Sequence, residues 1–310
     1  VNHIILIEMG FFMNRICIDI GGTAIKYGVI DDTLQFSYED QRPTQAMLGG
    51  QHVVENVIEI VHALQEKTTA VSVCISTTGI IDPVKGIILE ANPALMPSYT
   101  GIHIAEAVTE KTGLPCYVEN DVNCAALAEY HHGAAKGAAS SLTLTVGTGI
   151  GGAFILNGNL LSGHSFSACE VGYMHIENGI SYEELAATSV LVKRVAQHYP
   201  QYQSEINGIW IFDRAINQQD AICISEIQRM CHYLSLGIAN LCYTLNPEVV
   251  VIGGGIAHQK DYLMPIINKE LSEALIAPVY SATGLRFAGN LNNAGMLGAY
   301  INCMNRSSIS

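Results

Sequence analysis

The sequence is short of positive charge. Fifteen lysines and arginines stand against 28 aspartates and glutamates, a formal net charge of −13. Nucleic acid and anionic membrane surfaces are held mainly through Lys and Arg, so this balance argues against both as partners. A small neutral substrate is indifferent to it. A nucleotide needs local positive potential from Mg2+, a lysine or backbone N–H groups. No Cys-x-x-Cys occurs among the nine cysteines, and there is no GxxxxGK[ST] loop, no Pro/Ser-rich linker and no block of like charge. Scattered, odd in number and mostly in apolar runs, the cysteines read as reduced, buried thiols of a cytoplasmic protein. The apolar opening Val1–Phe12 is too short to span a membrane. It is split by Glu8 and lacks a basic leader region. It is expected to be an extension ahead of a natural start at Met13.

What is present fits a globular enzyme. The 310 residues suffice for one large or two mid-sized domains, and 49% are hydrophobic against 14% charged. Arg15–Ile20 and Ile25–Ile30 read as strands around a tight turn at Gly21-Gly22-Thr23. Helical spacing follows over Val53–Gln65, then an apolar strand over Ala70–Ile75. Ile102–Lys111 reads as a helix ending at Gly113, Cys116–Val118 as a strand, and Asp121–Tyr130 as a helix. The opening theme then returns: strand Leu142–Val146, turn Gly147–Gly152, strand Ala153–Leu156. The two hairpins lie about 127 residues apart, which suggests two related halves. The second half is more helical, with periodicity over Tyr182–Tyr199, Ile224–Leu245 and Tyr262–Leu275. A strand Val249–Ile252 runs into Gly253-Gly254-Gly255, and a helix over Met296–Met304 closes the chain.

Three glycine turns thus follow β-runs, at Gly21–Thr23, Gly147–Gly152 and Gly253–Gly255. Glycine lets backbone N–H groups approach a phosphate, and Thr23 and Thr148 add hydroxyl donors. Residues 147–152 match GxGxxG, but a strand follows where a dinucleotide site needs a helix, so that reading is rejected. Lys26 can reach a phosphate or lie on the open face of its hairpin. Glu119-Asn120-Asp121 sits where a strand meets a helix. On local sequence Asp121 reads first as an N-cap; beside paired glycine loops it reads as a general base in phosphoryl transfer. Glu170 and Glu184 read as acceptors for sugar hydroxyls, with Glu183 the better candidate for a solvated surface acid.

In order along the chain, Ile18–Thr23, Glu119–Cys124, Val146–Gly152, Glu170-Val171-Gly172-Tyr173 and Ile252–Gly255 resemble the motifs of the ROK sugar kinases, from Met13 to about residue 300. The resemblance implies an α/β, two-domain actin-like ATPase (ribonuclease H-like) fold with the active site in the cleft between domains. The small domain would span 13–122, with a C-terminal helix at about 296–310 packing back on it, and the large domain 123–295. It implies ATP and Mg2+ as cofactors, a sugar as acceptor, and a homodimer. Asp121 would be the catalytic base and Asp19 would meet Mg2+ through water. Gly21, Gly22, Thr23, Lys26, Gly147, Thr148 and Gly149 would hold phosphates, and Gly253, Gly254 and Gly255 would lie near the adenosine. Thr78, Gly79, Asn92, Asn120, Glu170, Tyr173 and Glu184 would line the sugar pocket.

Two departures from the family pattern matter. Most of the family carries a His three residues after the glutamate and then a cysteine-rich zinc motif. Here that position is Tyr173 and no cysteine lies between Cys169 and Cys223, so no zinc is expected. The family's DNA-binding repressors carry a helix-turn-helix segment before the first glycine hairpin, for which eighteen residues ahead of Asp19 leave little room. Ser76–Gly79, Glu170–Tyr173 and Tyr182–Ser189 are most similar to N-acetylmannosamine kinases. The expected reaction is transfer of the γ-phosphoryl group to the 6-hydroxyl of N-acetylmannosamine. A β-glucoside kinase or glucokinase is the alternative, and an inactive sugar-binding protein is the alternative of another class.

Overall fold

The computed structural model describes residues 13–290 and 292–307. The extension expected over residues 1–12 lies outside them. In chain order the elements are β1 Asn14–Ile20, β2 Ala24–Ile30, β3 Phe36–Pro43, α1 Gly50–Gln65, β4 Ala70–Thr77, β5 Ile80–Asp82, β6 Ile87–Glu90, α2 Ile104–Thr112, β7 Cys116–Asn120 and α3 Asp121–His132. Then come β8 Ser140–Val146, β9 Ile150–Leu156, β10 Asn159–Leu160, β11 His175–Glu177, β12 Ile180–Ser181, α4 Tyr182–Ala186, α5 Thr188–His198, α6 Gly208–Asn217 and α7 Ala221–Leu245. The last are β13 Val249–Gly253, α8 Lys260–Ala274, α9 Ala277–Ala282, β14 Gly284–Phe287 and α10 Ala294–Ser307.

Two compact units share the chain. One holds the described residues up to Ala128, Ser162–Ser167 and those from Asn292 on; the other holds Glu129–Leu161 and 168–290. The change of unit falls inside α3, between Ala128 and Glu129, where the sequence reading placed it at residue 122. The closing helix begins at Ala294 rather than Met296, and residues 308–310 lie outside the described chain.

Each unit is built on a five-stranded sheet, and the two sheets repeat one plan. The first has the order β3-β2-β1-β4-β7, the second β10-β9-β8-β13-β14. In both, three strands pair antiparallel and the remaining two join parallel. The repeat expected from the two glycine hairpins is therefore a repeat of whole sheets. β1 is buried on both faces. Ile16, Ile18 and Ile20 pack with Val53, Val57 and Leu64 of α1, while Cys17 lies on the opposite face, and all of these are at most 1% exposed. Burial on both faces makes a strand read as a continuous apolar run. In the second unit Leu142, Leu144 and Val146 of β8 pack with Ile227, Leu234 and Ile238 of α7.

The single helix expected over Tyr182–Tyr199 is two. Ala187 is extended, with φ −68° and ψ 151°, and separates α4 from α5. α10 packs on β1, β4 and β7 of the first unit. Its approach depends on Gly298, where a Cβ would overlap the backbone of Cys124 in α3. Elsewhere in a helix, Gly→Ala gains about 1 kcal/mol. Here the Cβ has only backbone to push against, so Gly298→Ala should instead lose about 3 kcal/mol, the upper end of an overpacking cost. Urea unfolding of the two proteins measures the sign, and a gain would show that α10 does not sit this close.

Candidate active site

The candidate residues fall in both units, and each group is built locally. In the first unit, Asp19 lies near the end of β1, paired in register with Lys26 of β2 and Ser76 of β4. Its Oδ1 accepts a 2.7 Å hydrogen bond from Ser76 Oγ. Burial pushes its carboxyl above the usual carboxylate range, opposed by the Ser76 bond and by the charge of Lys26. Lys26 is half-buried, and its Nζ donates to the Asn292 carbonyl at 3.2 Å in an exposed position. A shielded carboxylate with one oxygen fixed suits a hydrated divalent cation, whose charge would restore the ionised form. Mg2+ therefore fits here.

The turn after β1 is held from outside. The Gly21 N–H donates to the Ala24 carbonyl at 3.0 Å, and the buried Thr44 donates from Oγ1 to the Gly21 carbonyl at 2.6 Å and from its N–H to Thr23 O at 3.0 Å. Gly22 and Thr23 are exposed, and a Cβ at Gly22 would meet nothing within 4 Å.

At the β7–α3 junction the cap is Asn120, one residue before the expected position. Its Oδ1 accepts from the N–H groups of Val122 at 2.8 Å and Asn123 at 3.0 Å. Its Nδ2 donates to the Gly79 carbonyl at 2.9 Å and to Asp121 Oδ1 at 3.0 Å. A primary amide has two donors and two lone pairs, so all four positions are engaged. Asn120 thus holds the site together; its expected role as a sugar ligand would require one of these bonds to exchange. Asp121 stands as the first residue of α3, and its Oδ1 shares the Val122 N–H at 3.0 Å. Glu119 is buried beneath, accepting from Asn120 N at 2.8 Å and Asn123 Nδ2 at 3.0 Å.

Thr78 is half-buried. Gly79 has φ +106°, and a Cβ there would lie 2.5 Å from the Glu90 carbonyl, so this turn requires glycine. Asn92 is exposed and spends its Oδ1 on the Ala94 N–H at 2.9 Å, closing a local turn.

In the second unit the turn Gly147-Thr148-Gly149 is closed by a 3.0 Å bond from Gly147 N–H to the Gly149 carbonyl. Ser189, in the first turn of α5, clamps it. Its Oγ donates to Thr148 O at 2.6 Å and its N–H to Gly147 O at 3.3 Å. Gly254, with φ +80°, packs so closely on Val146 that no Cβ would fit. The second and third glycine turns are therefore neighbours, as the pairing of Gly253 with Thr145 requires. Gly255 is exposed beside them. A groove of about 570 Å³ runs along α5 from Ser189, lined by Val192, Lys193, Ala196, Gln197 and Gln203.

The acidic residues of this unit reverse the sequence reading. Glu184 is exposed and locked in a capping box: it accepts from Ser181 N at 3.1 Å and Ser181 Oγ at 2.6 Å. Those bonds hold its carboxyl below the usual range. Glu183 is the residue turned toward the glycine turn. Its Oε2 accepts from Ile150 N at 3.4 Å and lies against Gly149 and Gly172, where any Cβ would crowd it. The phase comes from Tyr182, whose fully buried ring stands on Gly237 and whose hydroxyl donates to Leu234 O at 2.7 Å. With Tyr182 pointing into the core, Glu183 faces the turn and Glu184 falls at the capping position. Glu170 faces Glu183: burial of its carboxyl and then the charge of Glu183 push it above the usual range. Tyr173, on the same short turn, is 67% exposed, and its N–H donates to Glu170 O at 3.3 Å.

Sequence reasoning missed Glu183, Ser76, Thr44 and Ser189. The last three act through hydroxyls whose partners are far away in the chain, and nothing local marks them.

Comparison with known proteins agrees with these elements. The ROK family matches residues 15–305. A β-glucoside kinase of Klebsiella pneumoniae is 32% identical over 297 residues, covering 91% of this chain and 93% of its own. A solved Listeria monocytogenes protein, proposed to be an N-acetylmannosamine kinase, superposes with TM-score 0.84 at 29% identity over 95% of this chain and all of its own. A Streptomyces griseus ROK glucokinase, solved with glucose and AMPPNP, gives TM-score 0.79 at 25% identity, covering 92% of this chain and 97% of its own. The two repeated sheets are those of the actin-like ATPase fold, and the chain belongs to the ROK family, among its sugar kinases.

Proposed function

We propose that this hexose kinase transfers the γ-phosphoryl group of ATP to the 6-hydroxyl of N-acetylmannosamine. The observation that carries the chemistry is the placement of Asp121 at the head of α3, where Asn120 caps the helix and steadies Asp121 Oδ1 through its Nδ2. Asp121 takes the proton of the sugar hydroxyl as that oxygen bonds to the γ-phosphorus and the bond to the β–γ bridging oxygen breaks, releasing ADP. The turns at Gly21–Thr23 and Gly147–Gly149 bind the phosphates through backbone N–H groups, their carbonyls being held by Thr44 and Ser189. Mg2+, when bound, neutralises phosphate charge, and Asp19 would hold it through water.

Glu170 and Glu183 take the sugar-hydroxyl role, with Tyr173 beside them. Support for the acetamido sugar is the resemblance of Tyr182–Ser189 and the Listeria structure. The β-glucoside kinase and glucokinase relatives support the second reading, a glucose-type acceptor.

A coupled ADP-release assay with Mg-ATP against N-acetylmannosamine, glucose, N-acetylglucosamine and cellobiose decides. N-acetylmannosamine should give the highest kcat/KM by at least about tenfold; a win for glucose or cellobiose replaces the substrate. Asp121→Asn should lower kcat by about 10²–10⁴-fold, and an unchanged kcat removes the base assignment.

Glu183 and Glu184 make a sharper pair. Glu183→Gln should raise the sugar KM at least about tenfold, the loss of a charge-assisted hydrogen bond. Glu184→Gln should lower the melting temperature slightly and leave that KM alone. The opposite pattern would return the sugar role to Glu184.

A further inference from the structure

Two glycines of α10 face functional elements, and they differ in what they touch. Gly298 abuts the backbone of α3, which cannot yield. Gly295 abuts a side chain: the atoms nearest a Cβ there would be Cγ, Oδ1 and Oδ2 of Asp19. Every atom of that carboxyl is therefore against α10 on one side. On the other, the fully buried Ser76 donates to Oδ1 at 2.7 Å. Between them the carboxylate is held in one orientation, with Oδ1 taken by Ser76.

We propose that Gly295 is a positioning residue for the metal–nucleotide step, acting with Ser76 to fix Asp19. The inference rests on the reading of Asp19 as the residue that meets hydrated Mg2+. A methyl group at residue 295 would press on the end of a side chain with two free torsions, so Asp19 would yield before the helix did. It would rotate away, break its bond to Ser76 and present the wrong face to a metal-bound water. An outer-sphere contact depends on direction, so a small rotation is enough to lose it. Glu170 and Glu183 are carried on other elements, so sugar binding should not follow. The consequence separates the two glycines: Gly298→Ala costs stability, whereas Gly295→Ala costs nucleotide binding.

The test is calorimetric titration of the full chain with Mg-AMPPNP and, separately, with the hexose it turns over fastest, alongside melting of the unliganded protein. Gly295→Ala and Ser76→Ala should each weaken Mg-AMPPNP at least about tenfold and keep hexose affinity within about twofold. They should also raise the Mg2+ concentration needed for half-maximal rate. Wild-type Mg-AMPPNP affinity in both variants overturns the proposal, as does parallel loss of both ligands with a lowered melting temperature. Ser76→Ala carries the test alone if Gly295→Ala does not fold. Asp19→Asn separates the layers. If it binds Mg-AMPPNP as the wild type does, the metal reading of Asp19 falls and the proposal with it. If it loses binding while the other two keep it, only the proposal falls.

Discussion

The candidate residues of the first unit depend on one amide group. Asn120 uses both donors and both lone pairs: on the Gly79 carbonyl, on Asp121, and on the first N–H groups of α3. Two pieces of chain, the Gly79 turn and the head of α3, are thereby referred to a single planar group. The Gly79 turn cannot drift, because its positive φ and its contact with the Glu90 carbonyl already confine it. Asp121 is held by the same group: its Oδ1 accepts from Asn120 Nδ2 and shares the Val122 N–H with the cap. A carboxylate at a helix N-terminus is also electrostatically favoured there. Replacing this amide would release the turn, the helix end and Asp121 together, so Asn120 is a joint whatever else it binds.

The duplicated sheets solve one problem twice with different parts. A turn that offers N–H groups to a phosphate must keep its own carbonyls out of the way. After β1 a hydroxyl from Thr44, just beyond β3, takes the Gly21 carbonyl; after β8 a hydroxyl from Ser189, on α5, takes that of Thr148. The residues are unrelated in sequence position and serve the same end. On the proposed reading, carbonyl restraint, as much as glycine itself, would make these turns competent for phosphate.

β1 was legible as an apolar run, β8 as Leu142, Leu144 and Val146 at strand spacing with β-branched threonines between them, and so were the glycine turns between hairpin strands. β3 was not. As an edge strand reading Phe-Ser-Tyr-Glu-Asp-Gln-Arg-Pro it has no apolar run to betray it. The site was legible to within a residue and no better. Whether Asn120 or Asp121 caps α3 depends on where the helix starts, and whether Glu183 or Glu184 faces the glycine turn depends on how α4 is rotated. That rotation is set by Tyr182 resting on Gly237, a contact 55 residues away in sequence. Ser76 and Asp19 are separated by 57 residues. Local pattern identifies the kind of residue; tertiary packing selects which of two neighbours does the work.

On the proposed reading, a chain of net charge −13 has to bind a polyanion. Lys26, the lysine beside the first glycine turn, is committed to the Asn292 carbonyl and to offsetting the charge of Asp19. Among the described residues around the second turn, the groove contributes Lys193 from α5. Fixed cations are thus few, and backbone N–H groups supply partial charges only. On the proposed reading the nucleotide must arrive with much of its charge already neutralised by Mg2+. The protein's task is then to orient the metal's water shell rather than to attract bare phosphate. An orienting carboxylate has to be directionally fixed, and a buried serine on one side and the bare backbone of a glycine on the other are the smallest groups that can do it.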